Sequence, residues 1–179
     1  MSLRDLTHEA HKNAETQPFV KILFSGNISP KLYATFLKNQ HPCYDLLEVV
    51  AMSAGVLTGL PDIRRSLKIN ADFLELWEDE QEPVILPVVK KYMDHIMSIK
   101  DDPKKLMAHV YVRHMGDLAG GQMIAKRVPG SGTMYQFEDP EALKTAIRAK
   151  ISDDMADEAI VCFEFAMQMF KEIMELANE

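Results

Sequence analysis

Ile160-Val-Cys-Phe-Glu-Phe-Ala-Met-Gln-Met-Phe-Lys-Glu-Ile-Met174 decides the fold class. Ile160, Phe163, Met167, Phe170 and Met174 recur at helical spacing, one apolar stripe for about four turns. The same spacing returns upstream in Leu32 and Phe36, in Leu46, Val49 and Val50, and, after a shift, in Leu67, Phe73, Leu74 and Trp77. Prolines punctuate it. Ser29-Pro30, Asp102-Pro103 and Asp139-Pro140 each place a capping residue before a proline at the first helical position, where its missing N–H does no harm. Ser2-x-x-Asp5 reads as a capping box. The one β-rich run, Val84-Ile-Leu-Pro-Val-Val89, is broken by Pro87. The pattern predicts six to eight helices over about 2–16, 29–57 (bent near Pro42), 61–78, 84–100, 102–126, 139–150 and 153–177. Val128–Thr133 forms a loop, and the fold class is all-α, a single domain over 1–179.

The chain has 179 residues, 47% of them hydrophobic and 26% charged, which are globular proportions. At this length about two-thirds of the surface can be buried without a disulfide or metal staple. A formal charge of −7 argues against a general nucleic-acid binder. Cys43 and Cys162 are too few for a disulfide framework and too far apart for a zinc ribbon. The longest apolar-rich stretch, Val49–Leu57, is interrupted by Ser53 and Gly55. The first residues carry charge of both signs, and Met174–Glu179 offers no tail anchor. These features predict a soluble, cytoplasmic protein with no membrane anchor.

Three stretches could carry chemistry. His109-Val-Tyr-Val-Arg-His-Met-Gly-Asp-Leu-Ala-Gly-Gly-Gln122 lies in a helical pattern yet holds Gly116, Gly120 and Gly121. Three interior glycines cost roughly 2–3 kcal/mol relative to alanine, so something presses on this backbone, or the helix packs closely on another or ends there. Gly116 and Gly120 share a face, and Asp117 stands beside it. In the N-terminal helix, Arg4 and His11 lie on nearly the same face, with Glu15 one turn beyond His11. A neutral imidazole steadied by a carboxylate is a good iron or zinc ligand, although an exposed histidine can be merely solvated. Lys144 and Arg148 point the same way and could clamp carboxylates, or could simply be a solvated face. Together the three stretches suit a flat, dianionic, iron-bearing ligand.

Tyr111-Val-Arg-His-Met-Gly-Asp-Leu-Ala-Gly-Gly-Gln122 resembles the heme oxygenase signature Tyr-x-Arg-x-x-Gly-Asp-Leu-Ser-Gly-Gly-Gln. Thr7-His-Glu-Ala-His-Lys-Asn-Ala-Glu15 resembles the helix carrying that family's proximal ligand, and the likeness runs from about Arg4 to Phe170. The resemblance implies a multi-helix bundle with a kinked distal helix. It places His11 as the proximal iron ligand, with Glu15 supporting the imidazole. Gly116 and Gly120 fall where the distal helix passes over the heme face, and Asp117 where a carboxylate organises distal water. Tyr111 and Arg113 fall in the pocket's polar network, and Arg4, Lys144 and Arg148 where cations hold the propionates. Phe163 and Phe170 match aromatics packed on the macrocycle. Ala119 departs from the usual Ser, so water order near it should differ. His114 stands where Tyr is frequent and is expected to pack or lie at the surface rather than ligate iron.

The implied activity makes heme both cofactor and substrate. With O2 and external electrons it is opened at the α-meso carbon to biliverdin, CO and ferrous iron. No flavin or nicotinamide fingerprint is present, so electrons come from outside. Reduced ferredoxin is the implied donor, docking near Lys12, Lys21 and Lys144, and a bilin reductase is an implied downstream partner. A di-iron carboxylate oxidase fits poorly, because it wants two Glu-x-x-His motifs and the chain offers only Asp5 before His8. A heme carrier has no use for Asp117 beside the glycines.

Overall fold

The capping residues read from the sequence do start helices. In the computed structural model, which describes residues 1–179, Ser29 Oγ accepts from Leu32 N–H, Asp102 from Lys105 N–H and Asp139 from Ala142 N–H. Ser2 and Asp5 complete the capping box. The helices are α1 (Leu3–Leu6), α2 (His8–Glu15), α3 (Pro18–Ser25), α4 (Pro30–Ser53), α5 (Ser66–Leu76), α6 (Pro87–Ser98) and α7 (Pro103–Val110). Beyond them lie α8 (Gly116–Leu118), α9 (Gly121–Ala125), α10 (Pro140–Arg148) and α11 (Ala156–Ala177). A π-helical turn spans Tyr111–Met115, and short 3-10 turns occupy Thr133–Tyr135 and Asp153–Met155. No strand is present, and Val84–Leu86 instead leads into α6. No helix is long and apolar enough to cross a membrane.

Two long helices organise the rest. α4 packs on α5, α6 and α7; α11 packs on α2, α3, α6 and α7. Their shared core contains Tyr33, Leu37, Leu47, Tyr92, Ile96, Leu106, Ala159 and Ile173, all nearly or fully buried. α11 sinks Ala159, Cys162, Phe163, Met169 and Ile173. Of the stripe read from the sequence, Phe163 is buried while Ile160, Met167, Phe170 and Met174 are half-buried on its flank.

Several boundaries differ from expectation, each for a local reason. The first helix breaks at Thr7, whose hydroxyl donates to the Leu3 carbonyl. The sequence pattern predicts no helix where α3 lies. Pro18 starts it, and Gly26, at φ 80°, ends it in the left-handed region that glycine tolerates. α4 runs on through Pro42 and stops at Ser53, short of Leu57. α5 begins only at Ser66, because residues 61–65 form a connection pinned by Arg65. This fully buried guanidinium donates to the carbonyls of Met134 and Gln136 and lies 3.8 Å from the centre of the Phe137 ring. The Asp72 carboxylate accepts from Thr133 and Met134 N–H, fixing the same distant turn. The 102–126 helix is the largest correction: it breaks into α7, the π-helical turn, α8 and α9.

Candidate active site

The sequence treats the three glycines of the 109–122 stretch alike, but the structure separates them. A methyl group added at Gly116 would meet nothing within 4 Å. At Gly120 it would meet only the Gly116 carbonyl, at 3.7 Å. At Gly121 it would lie 2.6 Å from the Tyr135 ring. Gly121 is therefore small for packing, whereas Gly116 and Gly120 turn bare, exposed backbone toward open space. Gly121→Ala should cost about 1–3 kcal/mol in thermal denaturation by overpacking. Gly116→Ala should instead leave the ligand-free chain as stable or slightly more stable, since alanine is the better helix former.

Asp117, one residue from that bare face, points inward. Its Oδ2 accepts from the Tyr44 hydroxyl at 2.8 Å. Burial pushes its carboxyl up to about 6, against the pull of His114, the Tyr44 hydrogen bond, Arg65 and Arg113. Such a group can hold and return a proton near neutral pH. Arg113, on the π-helical turn, donates through Nε to Tyr92 Oη at 3.0 Å and through a terminal nitrogen to Gln40 at 3.4 Å. Its guanidinium also lies against the Tyr92 and Tyr44 rings, at 4.2 and 5.3 Å from their centres. His114 is fully buried and bonds Glu48 through Nε2 at 2.8 Å, so it packs and does not face solvent.

His11 lies on α2 with 58% of its side chain exposed. Its Nδ1 is 3.7 Å from Glu15 Oε2, one turn on and just beyond hydrogen-bond reach, and Nε2 is the ring nitrogen without that neighbour. The ring meets Phe163 of α11 edge-on, with centroids 5.7 Å apart. Phe170, two turns further along α11, stacks on Phe19 at 5.9 Å and is only half-buried. Tyr111 is half-buried. Burial raises its phenol, while Thr7 and the charges of Arg4 and Arg148 draw it back down. Arg4 and Arg148 are exposed. Lys144 is less free than the sequence suggests, because its ammonium donates to Glu141 at 3.1 Å on its own helix.

The structure thus groups His11, Glu15 and Phe163, sets Tyr111 within the field of Arg4 and Arg148, and ties Asp117 and Arg113 into one buried network. That network includes residues the sequence reading passed over: Gln40, Tyr44, Glu48 and Tyr92. Glu48 alone left a visible signal, a carboxylate inside the apolar run Leu46-Leu47-Glu48-Val49-Val50. The residues fit a flat, iron-bearing ligand. An accessible imidazole, the aromatic rings of Phe163 and Phe170, exposed arginines and two glycines with no side chain against them suit such a group.

A family model described as Heme oxygenase matches residues 1–172. Heme oxygenase 2 of Macaca fascicularis is 29% identical over 96% of this chain, which spans 64% of that protein's length. Heme oxygenase of Guillardia theta is 29% identical over 97% of this chain and 85% of its own. The crystal structure of heme oxygenase-1 from Synechocystis sp. PCC6803, solved in complex with heme, superposes with a TM-score of 0.83 at 24% identity. It covers 98% of this chain and 94% of that one, a likeness of fold. With the signature on its π-turned helix and a family match across nearly its whole length, this chain belongs to the heme oxygenase family.

Proposed function

We propose that the whole chain acts as one heme oxygenase domain, taking heme as substrate and opening it at the α-meso carbon to biliverdin, CO and ferrous iron. The observation that carries this reading is the side-chain-free face at Gly116 and Gly120 beside a buried carboxyl poised near neutrality, in a chain that matches the family over residues 1–172. When bound, heme supplies the iron at which O2 is reduced. The chain's residues position and tune. His11 is the iron ligand, held in orientation by Glu15. Phe163 and Phe170 line the apolar flank. Arg4 and Arg148 hold the propionates, with Lys144 joining them once released from Glu141. Tyr111 steadies that edge, and Arg113 bonds the Tyr92 hydroxyl and lies over the Tyr44 ring whose hydroxyl meets Asp117. Gly116 and Gly120 admit the ligand edge close to the backbone, and Asp117 holds the proton that the oxygen chemistry consumes. Electrons come from reduced ferredoxin, docking near the exposed Lys12 and Lys21, and a bilin reductase takes the product.

Equimolar heme with a reductant and air tests the reading. A heme oxygenase loses the Soret band and gains bilin absorption, whereas a heme carrier keeps its pigment intact.

Asp117 gives a second test with opposite signs in stability and activity. Its folded pKa, about 6, stands above its ordinary 3.8, so the folded chain binds the extra proton between those values. Stability therefore falls as pH rises from about 4 through 6, and the ionised carboxylate is a cost at neutral pH. Asp117→Asn should raise the melting temperature at pH 7, flatten its pH dependence over that window, and lower bilin yield at least about tenfold. An unchanged yield would remove Asp117 from the proton-handling role.

A further inference from the structure

Away from His11 and the glycines, three helices bring His95 of α6, His109 of α7 and Glu158 of α11 to a single point. The geometry points to a binding site there for one first-row divalent metal ion of the Zn2+ or Fe2+ kind, held by His95 Nε2, His109 Nε2 and the Glu158 carboxylate. The ligand atoms all lie within 4.8 Å of one another. His95 Nε2 is 2.5 Å and His109 Nε2 2.8 Å from the same oxygen, Glu158 Oε1. The two rings are not stacked: their centroids are 5.6 Å apart and their planes 42° to each other, so both nitrogens converge on the carboxylate.

Two imidazoles and one carboxylate suit a borderline transition ion, whereas calcium and magnesium want oxygen throughout. Metal–ligand bonds of about 2.0–2.2 Å put neighbouring ligand atoms roughly 3–3.5 Å apart. The two histidine–carboxylate contacts therefore have to open by up to about 1 Å and a pair at the 4.8 Å limit has to close by about 1.5 Å, both side-chain adjustments. His109 already has the outer support that a metal-bound histidine needs. Its Nδ1 is 2.8 Å from the Tyr92 hydroxyl, which fixes the ring and directs Nε2 at the convergence point. Access is one-sided. His109 is fully buried at the back, while His95 is 25% and Glu158 11% exposed, leaving an approach from solvent. The site depends neither on heme nor on the proposed turnover. It does reach the other network, because the Tyr92 hydroxyl that orients His109 also accepts from Arg113. With an ion on Nε2, His109 Nδ1 must carry the proton and donate it to Tyr92.

The test is a Zn2+ titration of the chelator-treated full chain, with Co2+ as the coloured probe. Because His11 with Glu15 is another histidine–carboxylate pair, the titration is repeated on His11→Ala. Expected are one ion per chain at this site in wild type and in His11→Ala, a visible-region Co2+ band, and a rise in melting temperature with added Zn2+. His95→Ala and Glu158→Gln should each weaken Zn2+ binding by at least about tenfold, with helical content by circular dichroism unchanged. Should Glu158→Gln fail to fold, His95→Ala decides alone, its side chain being partly at the surface. Absence of Zn2+ uptake by wild type, or equal affinity in His95→Ala, overturns the proposal and makes the trio an ordinary ion pair.

Discussion

His11→Ala is expected to lower bilin formation by more than about a hundredfold, beyond the 10–100-fold typical of losing a supporting partner of a metal ligand. The reasoning is spatial and chemical at once. His11 is the accessible imidazole against Phe163 of α11, and its Nε2 is the nitrogen without the Glu15 neighbour. Alanine removes that donor and leaves the fold alone. The side chain is more than half exposed, and substitutions at such positions usually move stability by no more than about 0.5 kcal/mol. The variant should melt with wild type, alter the spectrum of its ferric heme complex, and retain heme after reductant and air. Glu15→Ala should show a smaller loss of the same kind. Bilin formation at the wild-type rate from His11→Ala would end the assignment of this histidine.

Glu48→Ala is expected to be the costliest change to stability, about 3–5 kcal/mol, because removing one partner strands buried polar groups. Glu48 is fully buried. Its Oε2 accepts from Arg65 N–H at 2.6 Å and from His114 Nε2 at 2.8 Å, and its Oε1 accepts from Ser66 N–H at 3.1 Å. Without it, the first turn of α5 and the His114 ring both lose their acceptor. At about 2–4 °C per kcal/mol, the melting temperature should drop by roughly 6–20 °C. Burial works to raise this carboxyl, but the His114 and backbone hydrogen bonds more than offset it and hold it below its ordinary 4.5. Its stabilisation is therefore present above about 4.5 and lost as pH falls through the lower folded value. Wild type and variant should converge in strong acid and diverge toward neutrality. A drop of less than about 1 kcal/mol at pH 7 would show that water replaces the carboxylate.

Helix starts were legible because they are local. A serine or aspartate before Pro30, Pro103 or Pro140 needs only its own next turn to act, and each does. The eight-residue α3 was missed although Pro18 and Gly26 bracket it, because Phe-Val-Lys-Ile-Leu-Phe is too short and too uniformly apolar to display a helical period. The 61–65 segment reads as helix from its apolar spacing, but Arg65 bonds carbonyls some seventy residues away, and no window of sequence contains both ends. The site divides along the same line. His11 and Glu15, or Gly116 and Asp117, share one motif, so a signature carries them. Tyr44 and Tyr92 reach Asp117 and Arg113 from α4 and α6 across long chain separations, and an isolated tyrosine on an apolar face looks like any core residue. Of the three glycines, spacing could not distinguish the one packed against Tyr135 from the two that face open space.

The π-helical turn at Tyr111–Met115 gives this helix slack in its chain length. Such a turn holds one residue more than an α-helical turn would, and the helix on either side stays in register. Deleting a single residue there would let the turn close to ordinary α-helix, with Asp117 still toward Tyr44 and Gly116 and Gly120 still outward. The same deletion in α7 has no surplus to absorb it and would rotate everything after it by about 100°, carrying Asp117 away from Tyr44.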